Sequence, residues 1–575
     1  MLSPLDVLRR YPPHAGTLRS LLDSRAARSP GHECLVYGER SVDYRNVQAA
    51  VDRVAAQLSG LGVAAGDRVG CMSLNHPSTV FLLIALAGLG AVMVPINPEY
   101  GVGDAAYVLG HAEVCGVVTS PAALATVRQA ITAAGIAPWL LLNAPAAQAG
   151  DAVVAVLVDS GEASAAEQSA GNSAGQATGQ ATGQSTGPSG ADLSAQSPGY
   201  PRASPPAAAG RPESTCLFIY TSGTTGFPKG VMHSQRSLVT AGEGFVARMH
   251  LQPDDRLLCV LPLFHINAIF YSLAGTLAAG ATLILEPKFS ASRFWSVVEK
   301  TGATEVNTIA AASSILMRRP RTEFVPGHRL NKIYGAPFDD ETYRVFQQEF
   351  HVPNLIEGYG MSEIPGALNN PFDGERKIRS MGKPSRHPDP ALALAELRIV
   401  DDDGNEVATG ETGELVVRTP IVMQGYYRDP EQTRAAFRDG WFLTGDLAWR
   451  DSDGYFWFVA RKKDIIRRRG ENISGAEHDR VIGTHPDVLE AAAIPVPSEL
   501  GEDEILVAVV PRPGTTIDPR AIADWCRDRL AAIKVPRFVA IVDALPHTPT
   551  HRVAKFRMRD DHELRRVAVD LQSRG

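Results

Sequence analysis

Residues 220–230 read Tyr220-Thr221-Ser222-Gly223-Thr224-Thr225-Gly226-Phe227-Pro228-Lys229-Gly230, gathering hydroxyls, glycines and one ammonium into a single short run. Glycines let a backbone turn tightly and point several N–H groups into one concavity, which suits an anion. Thr221, Ser222, Thr224, Thr225 and Lys229 add further donors, so a polyphosphate is the ligand such a loop fits. The order of residues does not match GxxxxGK[ST], so this is not the common P-loop. A cluster of Gly, Ser and Thr is ordinarily a polar surface turn. Here the ordered string, its closing Pro228 and Lys229, and the apolar strand predicted at 216–220 favour phosphate binding.

Such a loop needs a rigid frame. Asp43 is placed to cap a helix in which Val47, Val51, Val54 and Leu58 recur at helical spacing, and Gly60 and Gly62 end it. Residues 68–73 read as a strand, 81–89 as a buried helix and 91–96 as a buried strand. Residues 268–279, Gly280 and 282–285 repeat the helix–glycine–strand pattern. This alternation predicts an α/β fold with mixed, largely parallel sheets. Residues from about 161 to 212 interrupt it. They are rich in Gly, Ser, Ala, Gln, Thr and Pro, with near-repeats at Gly175, Gly179 and Gly183, and no aliphatic core can form there. That segment is expected to be a flexible insertion.

The run 220–230 resembles the signature of the adenylate-forming superfamily of acyl-CoA synthetases, peptide-synthetase adenylation domains and beetle luciferases. Further segments carry the likeness over nearly the whole chain outside the insertion. Gly335-Ala336-Pro337 and Glu357-Gly358-Tyr359-Gly360-Met361-Ser362-Glu363 resemble the adenine-binding segments. Tyr359 offers a flat apolar face to a purine, and Glu363 a hard oxygen ligand for Mg2+. In the family the matching glutamate engages that ion and the phosphates. Trp441–Asp446 resembles the segment whose aspartate accepts from the ribose hydroxyls. Arg461 matches the nucleotide-contacting arginine, and Lys463 the hinge about which a small C-terminal domain turns. Gly470 matches the loop that lines the pantetheine tunnel. Arg468 and Arg469 beside it are candidates for CoA phosphates, or for a plain exposed basic face. The segment 261–268, with His265 and Asn267, resembles the acyl-pocket segment, to which Gly360 also contributes. The aspartate with which amino-acid-activating relatives pair a substrate ammonium has no counterpart there. Residues 261–295 also resemble the crotonobetaine/carnitine-CoA ligase branch.

One stretch departs from the family. Where Pro-x-Thr-x-x-Gly-Lys is usual, this chain has His551 for the glycine and Arg552 for the lysine that bridges substrate carboxylate and α-phosphate. Lys555 fits the second basic position. Arginine keeps the charge and can clamp two oxygens, with different geometry and hydration.

The resemblance implies an ATP-dependent carboxylic acid:CoA ligase that passes through an acyl-AMP and releases AMP and pyrophosphate, with ATP and Mg2+ as cofactors and CoA as co-substrate. Arg552, Lys229 and Glu363 are its expected catalytic residues. The alternatives are an adenylating enzyme that loads a carrier protein and a nucleotide-binding relative with impaired catalysis at Arg552. The expected organisation is a large ATP- and acyl-binding domain over 1–460, a hinge at 461–463 and a small mobile α+β domain over 464–575.

Composition agrees. Of the 575 residues 44% are hydrophobic and 21% charged, which supplies ample core for more than one packed unit. The formal net charge of -7 gives no basic excess for nucleic acid or an anionic membrane. The six cysteines have neither CxxC nor metal-ligand spacing. The amino terminus shows no signal-peptide pattern. The apolar run 80–94 falls short of the roughly 20 residues of a spanning helix, so a cytoplasmic protein without a membrane segment is expected.

Overall fold

A computed structural model describes residues 1–143, 158–159, 209–221, 228–468, 471–498, 502–547 and 553–572. The helix Pro77–Leu89 is apolar all round and almost wholly buried, as a helix between two layers must be. Gly90 ends it in the left-handed conformation, and the strand Val92–Ile96 follows at once, buried on both faces. Asp43 caps the helix Tyr44–Gly60 as its position predicts, its side chain accepting from the Asn46 amide.

Two large sheets flank these helices. One runs in the order Gly425–Tyr426, Lys229–Ser234, Thr215–Thr221, Val92–Ile96, Arg68–Met72, Gly116–Thr119, Trp139–Leu142, Val158–Asp159. Its interior pairs are parallel and its outer pairs antiparallel. The other contains Asn354–Met361, Lys332–Gly335, Glu305–Asn307, Arg256–Cys259 and Thr282–Leu285 in parallel succession, again with antiparallel strands at both ends. A third sheet differs from the parallel expectation. Glu396–Val400, Gly413–Arg418, Trp441–Arg450 and Phe456–Arg461 are all antiparallel neighbours. Trp449 and Trp457 stack across it at 5.4 Å.

The small C-terminal domain is α+β. It holds the hairpin Ile465–Arg468/Glu471–Ser474 and a four-stranded sheet of Val488–Pro497, Asp503–Pro511, Phe538–Ile541 and Val569–Asp570, with its own buried clusters.

The expected insertion lies mostly outside the described residues. Its predicted C-terminal end, 209–212, is pinned rather than free. The amides of Ala209 and Gly210 donate to the Gly88 carbonyl at 3.1 and 3.2 Å, and a Cβ at Gly210 would lie 2.1 Å from the Ala87 oxygen. Among the described residues no helix is long and apolar enough to cross a membrane.

Candidate active site

Asp446 lies within the strand Trp441–Arg450 and directly opposite Arg461 in the antiparallel register. Its carboxylate is 1% exposed. The Tyr359 hydroxyl donates to Oδ2 at 2.5 Å, and Arg461 Nε lies 2.7 Å from Oδ1. Burial, reinforced by the Asp446 charge, holds the Tyr359 phenol well above its ordinary value, so it stays a donor. The sequence-predicted ring, carboxylate and guanidinium thus meet at one point. A carboxylate braced from two sides, with an exposed arginine beside it, can accept from a diol next to a ring that can cover a purine.

The glycines around Tyr359 have reasons within the protein. A Cβ at Gly358 would lie 2.2 Å from the Tyr334 hydroxyl, and one at Gly360 would lie 2.5 Å from the Gly366 nitrogen and 2.9 Å from the Tyr271 hydroxyl. At Gly335 it would meet Phe338 at 2.7 Å. Ala336 and Pro337, joined by a cis bond, are exposed and open to a ligand. Glu357, predicted to contact nucleotide, also has partners within the protein. It is buried, and it accepts from the Phe338 amide at 2.9 Å, the Arg379 amide at 3.2 Å and the Tyr343 hydroxyl at 3.1 Å. Burial pushes its carboxyl up to about 7 against those donors. Glu357 holds the 336–338 segment in place.

Glu363 is buried, with Oε1 accepting from the Tyr426 hydroxyl at 2.8 Å. Burial raises its carboxyl above the usual range, opposed by Tyr426, Arg461 and Lys229. Its neighbour Ser362 accepts at its carbonyl from His233 Nε2, 2.7 Å away. Thr221 and Lys229 face each other across the strand pair that flanks residues 222–227. The Lys229 ammonium lies 5.2 Å from the Tyr426 ring centre and donates to Gln432 Oε1. Burial, with Lys463 nearby, lowers its proton affinity. Lys229 also lines an open cleft of about 170 Å³ with Tyr107, His111 and Gln432. Residues 222–227, and so Ser222, Gly223, Thr224, Thr225 and Gly226, lie outside the described residues.

Among the described residues no three ligand-type side chains cluster as a complete metal cage. One buried carboxylate with an oxygen beyond the one Tyr426 holds fits Mg2+, which takes few protein ligands and shares itself with phosphates.

At the acyl segment, Asn75 pins residues 261–263. Its amide donates to the Leu261 carbonyl at 2.9 Å and its oxygen accepts from the Leu263 amide at 2.7 Å. His265 packs on Phe264 with ring centres 4.5 Å apart. Asn267 opens a wider π-helical stretch, Asn267–Leu273. Its buried Oδ1 has no hydrogen-bond partner among the described residues, so an acceptor is left over at the place predicted to meet the acid.

The C-terminal side requires a correction. Arg468, a predicted CoA contact, is turned inward and 4% exposed. It donates to the carbonyls of Ile533 and Val535 at 2.7 and 2.8 Å and lies 2.8 Å from Glu504. Alternation along Ile465–Arg468 buries Ile466 and Arg468 on one face and exposes Arg467 on the other. Arg469, Gly470, His551 and Arg552 lie outside the described residues. Lys463 sits in a short exposed turn, Lys462–Asp464, and Lys555 pairs with Asp479 at 2.5 Å.

Sequence reasoning missed Tyr426, Gln432 and Asn75. The run Gly425-Tyr426-Tyr427 reads as an ordinary aromatic turn, and only the fold brings it onto Glu363 and Lys229.

The model of the family described as AMP-binding enzyme matches residues 22–427, and that of the AMP-binding enzyme C-terminal domain matches residues 477–552. The chain belongs to the AMP-binding enzyme family. It is 32% identical over 556 residues to a sulfoacetate–CoA ligase of Cupriavidus necator, covering 96% of this chain and 99% of the relative. It is 30% identical over 541 residues to an indoleacetate–CoA ligase of Aromatoleum aromaticum, covering 94% and 96%. Among solved structures it resembles ATP-bound MatB from Rhodopseudomonas palustris, with 26% identity, a TM-score of 0.75, and coverage of 94% of this chain and 98% of that one.

Proposed function

We propose that this AMP-binding enzyme is an ATP-dependent carboxylic acid:CoA ligase. The observation that carries the reading is the meeting of Tyr359, Asp446 and Arg461, with Arg461 and Lys229 both near enough to the buried Glu363 for their charges to act on it. Asp446 accepts from the ribose hydroxyls, and the Tyr359 ring covers the adenine, with Ala336 and Pro337 exposed beside it. Lys229 and the loop 221–226 hold the phosphates. Mg2+ held by Glu363 would supply charge to the phosphates. The substrate carboxylate attacks the α-phosphate and pyrophosphate leaves. Catalysis here is positioning and charge stabilisation, and no protein nucleophile is required. The CoA thiol then displaces AMP. His265, Asn267 and Gly360 line the acid's side. Lys463 is the pivot between the two steps, and residues from 464 form the moving part.

Arg552 takes the place of the family lysine at the carboxylate–phosphate junction. Arg552→Ala is expected to depress acid-dependent ATP–pyrophosphate exchange by about 100-fold or more, in line with loss of a transition-state donor. It is expected to spare thioester formation from synthetic acyl-AMP. Wild-type protein without exchange on any acid would instead make the chain a nucleotide-binding relative. The relatives named above act on acids as unlike as sulfoacetate and indoleacetate. A panel that includes both, together with crotonobetaine and carnitine, assayed for AMP release with CoA, identifies the substrate. AMP release that needs a carrier protein in place of CoA would favour the carrier-loading alternative.

A further inference from the structure

The segment 423–433 is stitched to both halves of the phosphate site. The Met423 amide donates to the Glu363 carbonyl at 2.8 Å. The Gln424 and Tyr427 amides donate to the carbonyls of Met232 and Gly230, each at 2.8 Å, on the strand that begins at Lys229. Gly425 and Tyr426 pair in register with Met232 and Val231. Gly425 adopts φ +141°, with Thr433 against it, and the Thr433 hydroxyl accepts from the Tyr426 amide at 2.9 Å. The Tyr426 backbone therefore has little freedom, and its side chain is delivered to a fixed place between two groups of opposite charge.

Resting on the reading of the site given above, we propose that Tyr426 is a positioning residue that sets the Lys229 ammonium and the Glu363 carboxylate apart, so that each faces the nucleotide phosphates and their metal ion rather than the other. Its two ends do different work. The hydroxyl occupies Glu363 Oε1 at 2.8 Å and thereby fixes the direction of Oε2. The ring face lies 5.2 Å from Lys229 Nζ, where its quadrupole attracts the cation. Lys229 and Glu363 feel each other's charge at partly and deeply buried positions, where an unhindered pair of this kind would close on itself. Gln432 Oε1 accepts from the ammonium and is the contact that an arriving phosphate would displace.

The division of labour can be read by binding alone. Tyr426→Phe keeps the ring and deletes the hydroxyl, and Tyr426→Leu deletes both. Calorimetric titration with ATP is run once in excess Mg2+ and once in EDTA. For Tyr426→Phe, affinity in Mg2+ falls about tenfold, the order expected for a hydrogen bond to a charged group, and affinity in EDTA stays within about twofold. For Tyr426→Leu both affinities fall. Equal weakening in the two media by the Phe variant, or no weakening in either, overturns the proposal. The Phe variant alone decides if the Leu variant does not fold, because it retains the buried ring. Lys229→Ala is the control. If it leaves ATP affinity unchanged, the phosphate site itself has been misplaced, a failure distinct from that of Tyr426.

Discussion

Arg461 and Arg468 stand on either side of one short turn and meet opposite fates. Arg461 ends the strand Phe456–Arg461, is 44% exposed, and reaches across one rung to Asp446. Arg468 ends the next strand, Ile465–Arg468, and is driven inward beside Ile466. The first is left where a ligand can find it. The second spends its donors on the Ile533 and Val535 carbonyls and on Glu504. A run of arginines is therefore not one feature. Strand alternation splits it, and the side facing the core becomes structure.

The largest test of that contrast is Arg468→Ala. It leaves Glu504, itself buried, without its cation, and removal of one partner of a buried pair costs about 3–5 kcal/mol. Denaturant melts should show that loss, whereas Arg467→Ala should melt close to wild type. A rise in the KM for CoA with unchanged stability in Arg468→Ala would return this residue to the ligand.

Glu357 sharpens the same contrast on the nucleotide side, because it too is structure where a contact was predicted. Its carboxyl is raised from 4.5 to about 7, so the folded state holds the proton more tightly than the unfolded chain. The contribution, on the order of 3 kcal/mol, is fully present below about pH 4.5 and is lost as pH rises through about 7. Glu357→Gln should therefore flatten the pH dependence of stability across that window. Parallel wild-type and variant profiles would show that the proton is not held there.

Asp446 is the counterpart proposed to meet the ribose, although it too is buried, 1% exposed. Asp446→Ala removes charged hydrogen bonds worth about 1.5–3 kcal/mol and should raise the KM for ATP roughly ten- to 150-fold in the exchange assay. An unchanged KM would break the comparison at its functional end. The smallest effect belongs to deletion of residues 164–206. The chain is pinned at Ala209 and Gly210, and shortening a segment whose sequence has no core-forming residues changes closure entropy only slowly. Exchange activity within about twofold of wild type is expected, and a large loss would show that the segment binds or packs.

The sequence carried the parallel frame, the glycine-capped helices and the trio of Tyr359, Asp446 and Arg461. Periodicity marks buried elements, and the ordered motifs pick out residues that the fold brings together. It did not carry the fates of Glu357 and Arg468, because a charged residue's partner is set by neighbours distant in the chain: Phe338 and Arg379 for one, Glu504 and Val535 for the other. The same reason hid Tyr426, whose partners lie 63 residues away at Glu363 and nearly 200 away at Lys229.

The rung that joins Asp446 to Arg461 is the last on its strand pair, and the turn holding Lys463 begins one residue later. Lys462 is tied back to Asp402 and Glu414 at 2.7 and 3.1 Å. Mechanically this is a bearing fixed to its housing. Were the small domain to swing at Lys463 as proposed, torque would be absorbed at the mount before it reached the carboxylate. On the proposed reading, a nucleotide seated on Asp446 would keep its place through the stroke, and the acyl-adenylate would not have to be rebound between one half-reaction and the next.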